Sequence, residues 1–208
     1  MQVLPYCILL YDPAKSIPQI GVLTSPIHRL TEDDLLIPYS ELVRSDISPK
    51  TFQAAALQFH HIVNAIFEQT AIVPFRFPTW VTPSELSRHL QQESQRYTTF
   101  LSRNGAHVQM ELRIAPLSRG SPMTAGSGTA HLRARAAELR KLHSTAESLK
   151  NLLSSEVIEW RQRDTPTGFR LYALVERASL VRFREKVSRR EQDVSVRWSG
   201  PWPATEFL

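Results

Sequence analysis

Two stretches of the chain read as strand, helix, strand, and together they constrain its fold more than any other feature. In the first, Val73, Phe75 and Phe77 fall on one face of a strand over 71–77 and Ile72, Pro74 and Arg76 on the other. Thr82-Pro83-Ser84-Glu85 then forms a capping box with proline at the first helical position, in which threonine and glutamate satisfy each other's backbone amides. The helix it opens runs to a left-handed stop at Asn104-Gly105, and Val108, Met110, Leu112 and Ile114 alternate with polar neighbours as a half-buried strand. The second stretch repeats the order, with strands at Phe169–Val175 and Val194–Trp198 around a helix over Ser179–Arg190.

These units, 71–114 and 169–198, are the halves of a split βαββαβ sandwich that buries both helices on one face of a common antiparallel sheet. The fold class expected is α+β: a small N-terminal α+β domain at 1–69, then a modified ferredoxin-like domain at 70–208 with a loop and long helix inserted at about 115–165. A length of 208 residues suits one large or two small domains. In the N-terminal part, runs at 3–11 and 19–23 read as strands separated by Asp12-Pro13 and Pro18. Ser48-Pro49 starts a helix carrying Phe52, Ala55, Phe59, Ile62, Val63, Ile66 and Phe67 at helical spacing. This part either stands alone or continues one sheet with the rest.

Between the halves, Pro116 to Thr129 shifts to Ser, Gly and Pro, the composition of a mobile loop. Leu132, Leu139, Ala146, Leu153 and Trp160 then recur seven apart, with Leu142 and Leu149 between them. That spacing predicts a helix of about 30 residues, roughly 45 Å long.

Composition narrows the class. Apolar residues make up 42% and charged residues 22%, a globular balance. Cys7 is the single cysteine, which excludes an intramolecular disulfide and a cysteine-based zinc site and fits a reducing compartment. It lies in an apolar strand, where burial raises the thiol pKa and blunts reactivity. The longest apolar run, Val3–Tyr11, is about half of a bilayer span and contains Pro5, so no membrane helix is expected. It is followed by Asp12-Pro13 and not by a cleavage pattern, which argues against a secretory signal.

Candidate chemistry is sparse. The seven histidines form no HExxH or His-x-His pattern, so no metal site is expected, and no cofactor. Gly126-Ser127-Gly128 continues to His131 where a dinucleotide fingerprint needs glycine, and there is no GKS or GKT phosphate loop. Ser199-Gly200 lacks the nucleophile elbow. An enzyme is not expected. A net charge of +5 concentrates in Arg133–Lys141 and Arg182–Arg190, read as solvated helix faces. The RNA reading sets Arg182, Arg184, Lys186, Arg189 and Arg190 beside Arg197 and Trp198, but there is no RRM-type aromatic string, and Phe169, Tyr172 and Trp198 read equally as core or sheet-edge residues.

The ending is distinctive: Leu171–Val175, then Phe183, then Ser199-Gly200-Pro201-Trp202-Pro203, with Phe207 near the terminus. Upstream, His60 is followed by Ile72-Val73-Pro74-Phe75-Arg76-Phe77. Both blocks resemble the gas vesicle protein L/F family (GvpL/GvpF), over about 50–208 and more loosely at the N-terminal strand and Gly21. The chain departs from that pattern in having Pro78 where the family has glycine, and Pro203-Ala204-Thr205-Glu206-Phe207 in place of its Pro-Pro-Tyr-x-Phe ending, as in a divergent member.

The resemblance implies a non-enzymatic gas vesicle assembly or minor structural protein, located with the gas vesicle in the cytoplasm. Its implied partners are the small hydrophobic shell protein and other gas vesicle accessory proteins, with no membrane and no nucleic acid. The alternative is a stand-alone ferredoxin-like module binding RNA or another acidic partner. The family-motif residues are His60, Pro74, Arg76, Phe77, Gly200, Pro201, Trp202, Pro203 and Phe207, and a structural role is expected for them. On a helical wheel with Phe52 at zero, His60 lies at about 80° and His61 at about 180°, so His60 is expected on the shoulder of the core and His61 in solvent. Arg76 is read as a structural arginine, needing a partner if buried. Trp202, restricted by Pro201 and Pro203, is expected to dock on the folded body.

Overall fold

The computed structural model describes residues 2–117, 128–165, 168–188 and 194–208. The chain divides into two compact units, one of residues 2–106 with 203–206 and 208, the other of 107–202 with 207.

The first unit is built on an antiparallel five-stranded sheet. β1 (Val3–Pro5) and β2 (Cys7–Leu10) pair with successive parts of β4 (Leu35–Glu41), so 3–10 acts as one strand interrupted at Tyr6. β3 (Ile27–Glu32) forms a hairpin with β4, and β5 (Val73–Pro74) lies against β2. Residues 3–9 are buried without alternation, the mark of a strand covered on both faces. Burial also raises the Cys7 thiol pKa, as expected for an inert structural cysteine. Tyr6 is fully buried; its hydroxyl is 2.9 Å from Ser40 Oγ and accepts from the Val22 amide at 2.9 Å. A Cβ at Gly21 would stand 2.5 Å from that hydroxyl, so the loop requires glycine for close approach.

Helix α1 (Phe52–Phe67) buries Ala55, Phe59, Ile62, Val63, Ile66 and Phe67. Ser48-Pro49 precedes it within a turn, Thr51 being the capping position. Helix α2 (Pro83–Arg103) starts at the expected box: Glu85 N donates to Thr82 Oγ1 at 3.3 Å and Thr82 N to Glu85 Oε2 at 2.7 Å. Its far end is Asn104, whose φ of −103° is not left-handed.

The second unit has the order β-α-β-β-α-β of the ferredoxin-like split motif. It comprises β6 (His107–Ala115), α3 (Gly128–Leu152), β7 (Val157–Thr165), β8 (Gly168–Glu176), α4 (Leu180–Ser188) and β9 (Ser195–Trp202), with sheet order β7-β8-β6-β9 and antiparallel pairing throughout. Met110, Leu112, Ile114, Phe169, Leu171, Ala173 and Val175 form a core with Leu142, Ala146 and Leu149 of α3, Leu153 just beyond it, and Phe183 and Val187 of α4. Both helices therefore cover the same face.

The class is α+β as expected, but the halves are assigned differently. The strand expected over 71–77 shrinks to Val73–Pro74 and pairs in the first sheet, so 71–114 and 169–198 do not share one sheet. With β5 on β2 and α2 against β2, β3 and β4, the compact units part at 106/107 rather than at 69/70. The long helix is no insertion: its last turns bury Leu142, Ala146 and Leu149, making α3 the first crossover of the split motif. It spans 25 residues, and Trp160, expected on it, lies on β7. Its heptad positions Leu132 and Leu139 are exposed. The 19–23 strand is replaced by a short 3-10 turn at Val22–Thr24, and the β3–β4 hairpin was not anticipated. Asp33, at φ 49°, is the residue type that tolerates such a turn. Most of the loop over 116–129, Pro166-Thr167, and Arg189 and Arg190 lie outside the described residues.

Candidate functional site: the family-motif residues and the β9 edge

The first motif block is a structural joint. Pro74 is half-buried opposite Cys7, Val73 pairs with Ile8, and the Phe75 amide donates to Tyr6 O at 3.0 Å. Phe77 is half-buried and sets its ring 5.1 Å from Phe59 and 5.5 Å from Phe52, tying the segment to α1; the Phe77–Pro78 peptide is cis. Arg76 is exposed, with its carbonyl accepting from Thr79 Oγ1, so it needs no buried partner. His60 departs from expectation: it is exposed, with Nε2 2.9 Å from Asn64 Nδ2 and its ring 6.3 Å from that of His61, itself exposed. The buried arc of α1 centres on Phe59, about 20° from Phe52, which is 45% exposed, and that carries His60 to about 100° from its middle.

The second block lies within a strand. On β9, the step from Ser199 to Trp202 spans one residue more than the step from Glu111 to Gln109 on β6, a bulge containing Gly200 and Pro201. Gly200 has φ +123°, and a Cβ there would stand 2.9 Å from both Gln109 O and Met110 Sδ, so no other residue fits without displacement. The Gly200–Pro201 peptide is cis, and Pro201 and Pro203 are half-buried. Trp202 is 40% exposed, its indole Nε1 donating to Ser199 Oγ at 3.3 Å, so the docking expected for it is partial. Phe207 is buried, with the Arg161 guanidinium 5.2 Å over its ring.

β9 is an outer strand of its sheet, and it carries two exposed tryptophans. Trp198 is 38% exposed, with the Arg184 guanidinium 5.4 Å over its ring; that arginine also donates to Gly200 O at 3.3 Å. Val181 of α4 is 66% exposed. Among the described residues of the basic helix, Arg182 Nη2 donates to Ser179 Oγ at 3.4 Å. Lys186 Nζ donates to Glu156 Oε2 at 2.9 Å, and this bond, with a smaller one from Ser155, holds the Glu156 carboxyl below the usual carboxylate range. Phe169 and Tyr172 are buried, in agreement with their reading as core residues.

Among the described residues no group of three or more His, Cys, Asp or Glu side chains converges as a metal would need, and no helix is long and apolar enough to cross a membrane. Of the family-motif residues, His60 lies on α1 and Pro74, Arg76 and Phe77 on or just after β5 in the first unit, Gly200, Pro201 and Trp202 lie on the bulged β9 of the second, and Pro203 and Phe207 follow β9. Trp198 stands opposite Leu112 and Trp202 opposite Gln109, so the bulge between them breaks the alternation and the two exposed tryptophans leave β9 on opposite faces, which their Trp-x-x-x-Trp spacing alone does not indicate.

A family model described as gas vesicle synthesis protein GvpL/GvpF matches residues 3–208. Among solved structures, the gas vesicle protein GvpF from Anabaena sp. PCC7120 matches with a TM-score of 0.78 at 12% identity, over 99% of this chain and 95% of that one. GvpF from Microcystis aeruginosa gives 0.75 at 12% identity, over 99% and 98%. No curated protein sequence matches. At such identity the structural likeness shows a shared fold alone, whereas the family model spans both motif blocks and nearly the whole chain. The chain belongs to the GvpL/GvpF family of gas vesicle synthesis proteins.

Proposed function

We propose that this chain is a non-enzymatic gas vesicle assembly or minor structural protein that binds the small hydrophobic shell protein and works at the gas vesicle, in the cytoplasm. Family membership supports the gas vesicle role, and the β9 edge supports the finer reading. A shell subunit with an apolar face and open strand edges aggregates unless it is held. A partner suited to it offers backbone groups on an outer strand with apolar side chains beside them. β9 offers both, with Trp198 and Trp202 exposed along it. The motif residues His60, Pro74, Arg76, Phe77, Gly200, Pro201, Pro203 and Phe207 then act by shaping the two units rather than by touching the partner.

The test is co-purification of the full chain with the shell protein at about 50 and 200 mM salt, with RNA as competitor. Apolar and backbone recognition survives that change, whereas contacts that neutralise phosphate weaken by orders of magnitude over it. Retention at both salts supports the reading. Loss at the higher salt, or displacement by RNA, rejects it in favour of a module for RNA or another acidic partner.

A further inference from the structure

Helix α1 has an outer face without charge. Its 16 residues, Phe52–Phe67, include no Asp, Glu, Lys or Arg, although Gln53, Ala54, Leu57, His60 and His61 are exposed and Asn64 is half-buried. Leu57 is 55% exposed. The other helix of the same unit, α2, shows what a solvated face looks like here: it exposes Glu85, Arg88, Arg96 and Arg103. Amphipathic helices of globular proteins carry charged and polar groups on the side that faces water. Depletion of charge around exposed apolar groups is instead the composition found at the centre of a protein interface.

The face also has a symmetric layout. With Phe52 at zero on the helical wheel, His60 lies at about 80°, Gln53 at about 100°, Asn64 at about 120° and Leu57 at about 140°, so the four form one stripe. Along the chain they are spaced four, three and four residues apart, an order that is the same from either end. An antiparallel copy of the helix therefore sets Gln53 against Asn64 and Leu57 against His60, each twice. Asn64 Nδ2 is 2.9 Å from His60 Nε2, and its Oδ1 can accept from the Gln53 amide of the other copy. Charge stands at the two ends of the helix: Lys50 precedes it and Glu68 caps its C-terminus, both exposed. Antiparallel packing brings Lys50 of each copy to Glu68 of the other, whereas parallel packing sets like charges together.

We propose that this face is the interface of a two-fold symmetric dimer, in which the α1 helices of two copies of this chain pack antiparallel through Gln53, Leu57, His60 and Asn64. A two-fold contact uses the same patch on both subunits, so the patch must complement itself. This one does so in its spacing, its amide pairing and its terminal charges. A charged partner would lose hydration against a face that offers it no counter-charge, and a wholly apolar one would leave the Gln53 and Asn64 amides unpaired. A single pair of helices about 24 Å long buries less than the roughly 800 Å² per partner of a stable complex, so the dimer forms weakly, at micromolar concentrations or above. The stripe belongs to the first unit and shares no residue with β9, so the inference goes beyond the shell-protein reading and does not rest on it.

Sedimentation equilibrium of the full chain over about 5 to 500 μM is expected to show a reversible equilibrium between monomer and dimer. Leu57→Glu, which puts a carboxylate in the middle of the stripe, should weaken the dimer at least tenfold with an unchanged circular dichroism spectrum. Lys50→Glu and Glu68→Lys should each weaken it, and K50E/E68K, which restores opposite charges, should recover it. Cross-linking reads the geometry, with a bismaleimide spanning about 8 Å, the separation of closely packed helices. A mixture of Q53C and N64C chains should give a cross-linked heterodimer, and neither chain alone should link; the native Cys7 is buried and takes no part. The proposal is overturned by a chain that stays monomeric over the whole range and gives no cross-link in the mixture, or by a dimer that Leu57→Glu leaves unchanged. It is equally overturned if K50E/E68K fails to recover the dimer, or if Q53C chains link to one another, the mark of a parallel contact. If Leu57→Glu does not fold, the charge exchange and the cross-link decide the matter. No shell protein enters these assays, so their outcome is distinct from that of the co-purification.

Discussion

β7 and β9 are the two outer strands of one sheet, yet they treat their unpaired edges in opposite ways. β7 presents Glu159, Arg161, Gln162, Arg163 and Asp164, a run of charged and polar side chains that discourages pairing with another chain. β9 is bent by its bulge and carries Trp198 and Trp202 at 38% and 40% exposure. The comparison teaches that edge protection here is selective. One edge is guarded by charge, and the other is left apolar where a partner of the proposed kind can use it.

The glycines that shape these strands give the largest expected effects. At Gly168, where β8 leaves its hairpin with β7, φ is +152° and a Cβ would stand 2.0 Å from Ile114 O. Gly168→Ala is expected to cost about 3 kcal/mol or more, from backbone strain and a clash with main chain, read as a shift of the urea midpoint. Gly200→Ala, with its nearest contacts at 2.9 Å, should cost less, about 2 kcal/mol, and straighten β9. Equal costs at the two sites would mean that the β9 bulge adapts easily, and would weaken the case for a shaped edge.

Replacing both tryptophans comes next. Because Trp198 and Trp202 are more than a third exposed, each change to alanine should cost only about 1 to 2 kcal/mol of stability, a few degrees in Tm. Retention of the shell protein should nevertheless be lost. A well-folded double variant that still co-purifies with it would remove β9 from the interface.

At the start of β7 the expected effect is smaller and depends on pH. The Glu156 carboxyl is held below its ordinary range chiefly by the Lys186 hydrogen bond. Its contribution is therefore present above the unfolded carboxyl pKa of about 4.3 and is lost as pH falls through the folded value. Glu156→Gln should cost about 1 kcal/mol at neutral pH, discounted because the Lys186 side chain is 38% exposed, and should flatten the acid limb of a stability profile. The smallest effect is expected at Ile158, 51% exposed on β7. Ile158→Lys should change stability by under about 0.5 kcal/mol and leave shell-protein retention intact, since this edge is already guarded. Loss of retention there would erase the distinction between the edges.

Part of this was legible from sequence because it depends on neighbours in the chain. The capping box at Thr82–Glu85 formed as expected, because both partners lie within one turn. The strand at 107–115 follows from its alternation, that at 168–176 from its apolar run after a turn, and α4 from its helical stretch with Phe183 and Val187. Gly200 and Trp202 were singled out by an unusual local string, but that string could not say that Gly200 bulges a strand or that Trp202 stays partly in water.

The chain by itself thus determined an α+β protein, its best-capped helix and most of its second-unit elements, and its motif strings carried the family. Tertiary structure decided which strand pairs with which. Val73–Pro74 has only two ladder residues, too few to choose a partner, and it joined β2 because β2 offered it a buried, apolar edge. That choice moved α2 to the first unit and made α3 a core crossover rather than an insertion. Four arginines of the second sheet were aligned in the same way. Arg163, Arg170, Arg113 and Arg197 are polar positions of four separate strands, and only the register of antiparallel pairing brings them side by side.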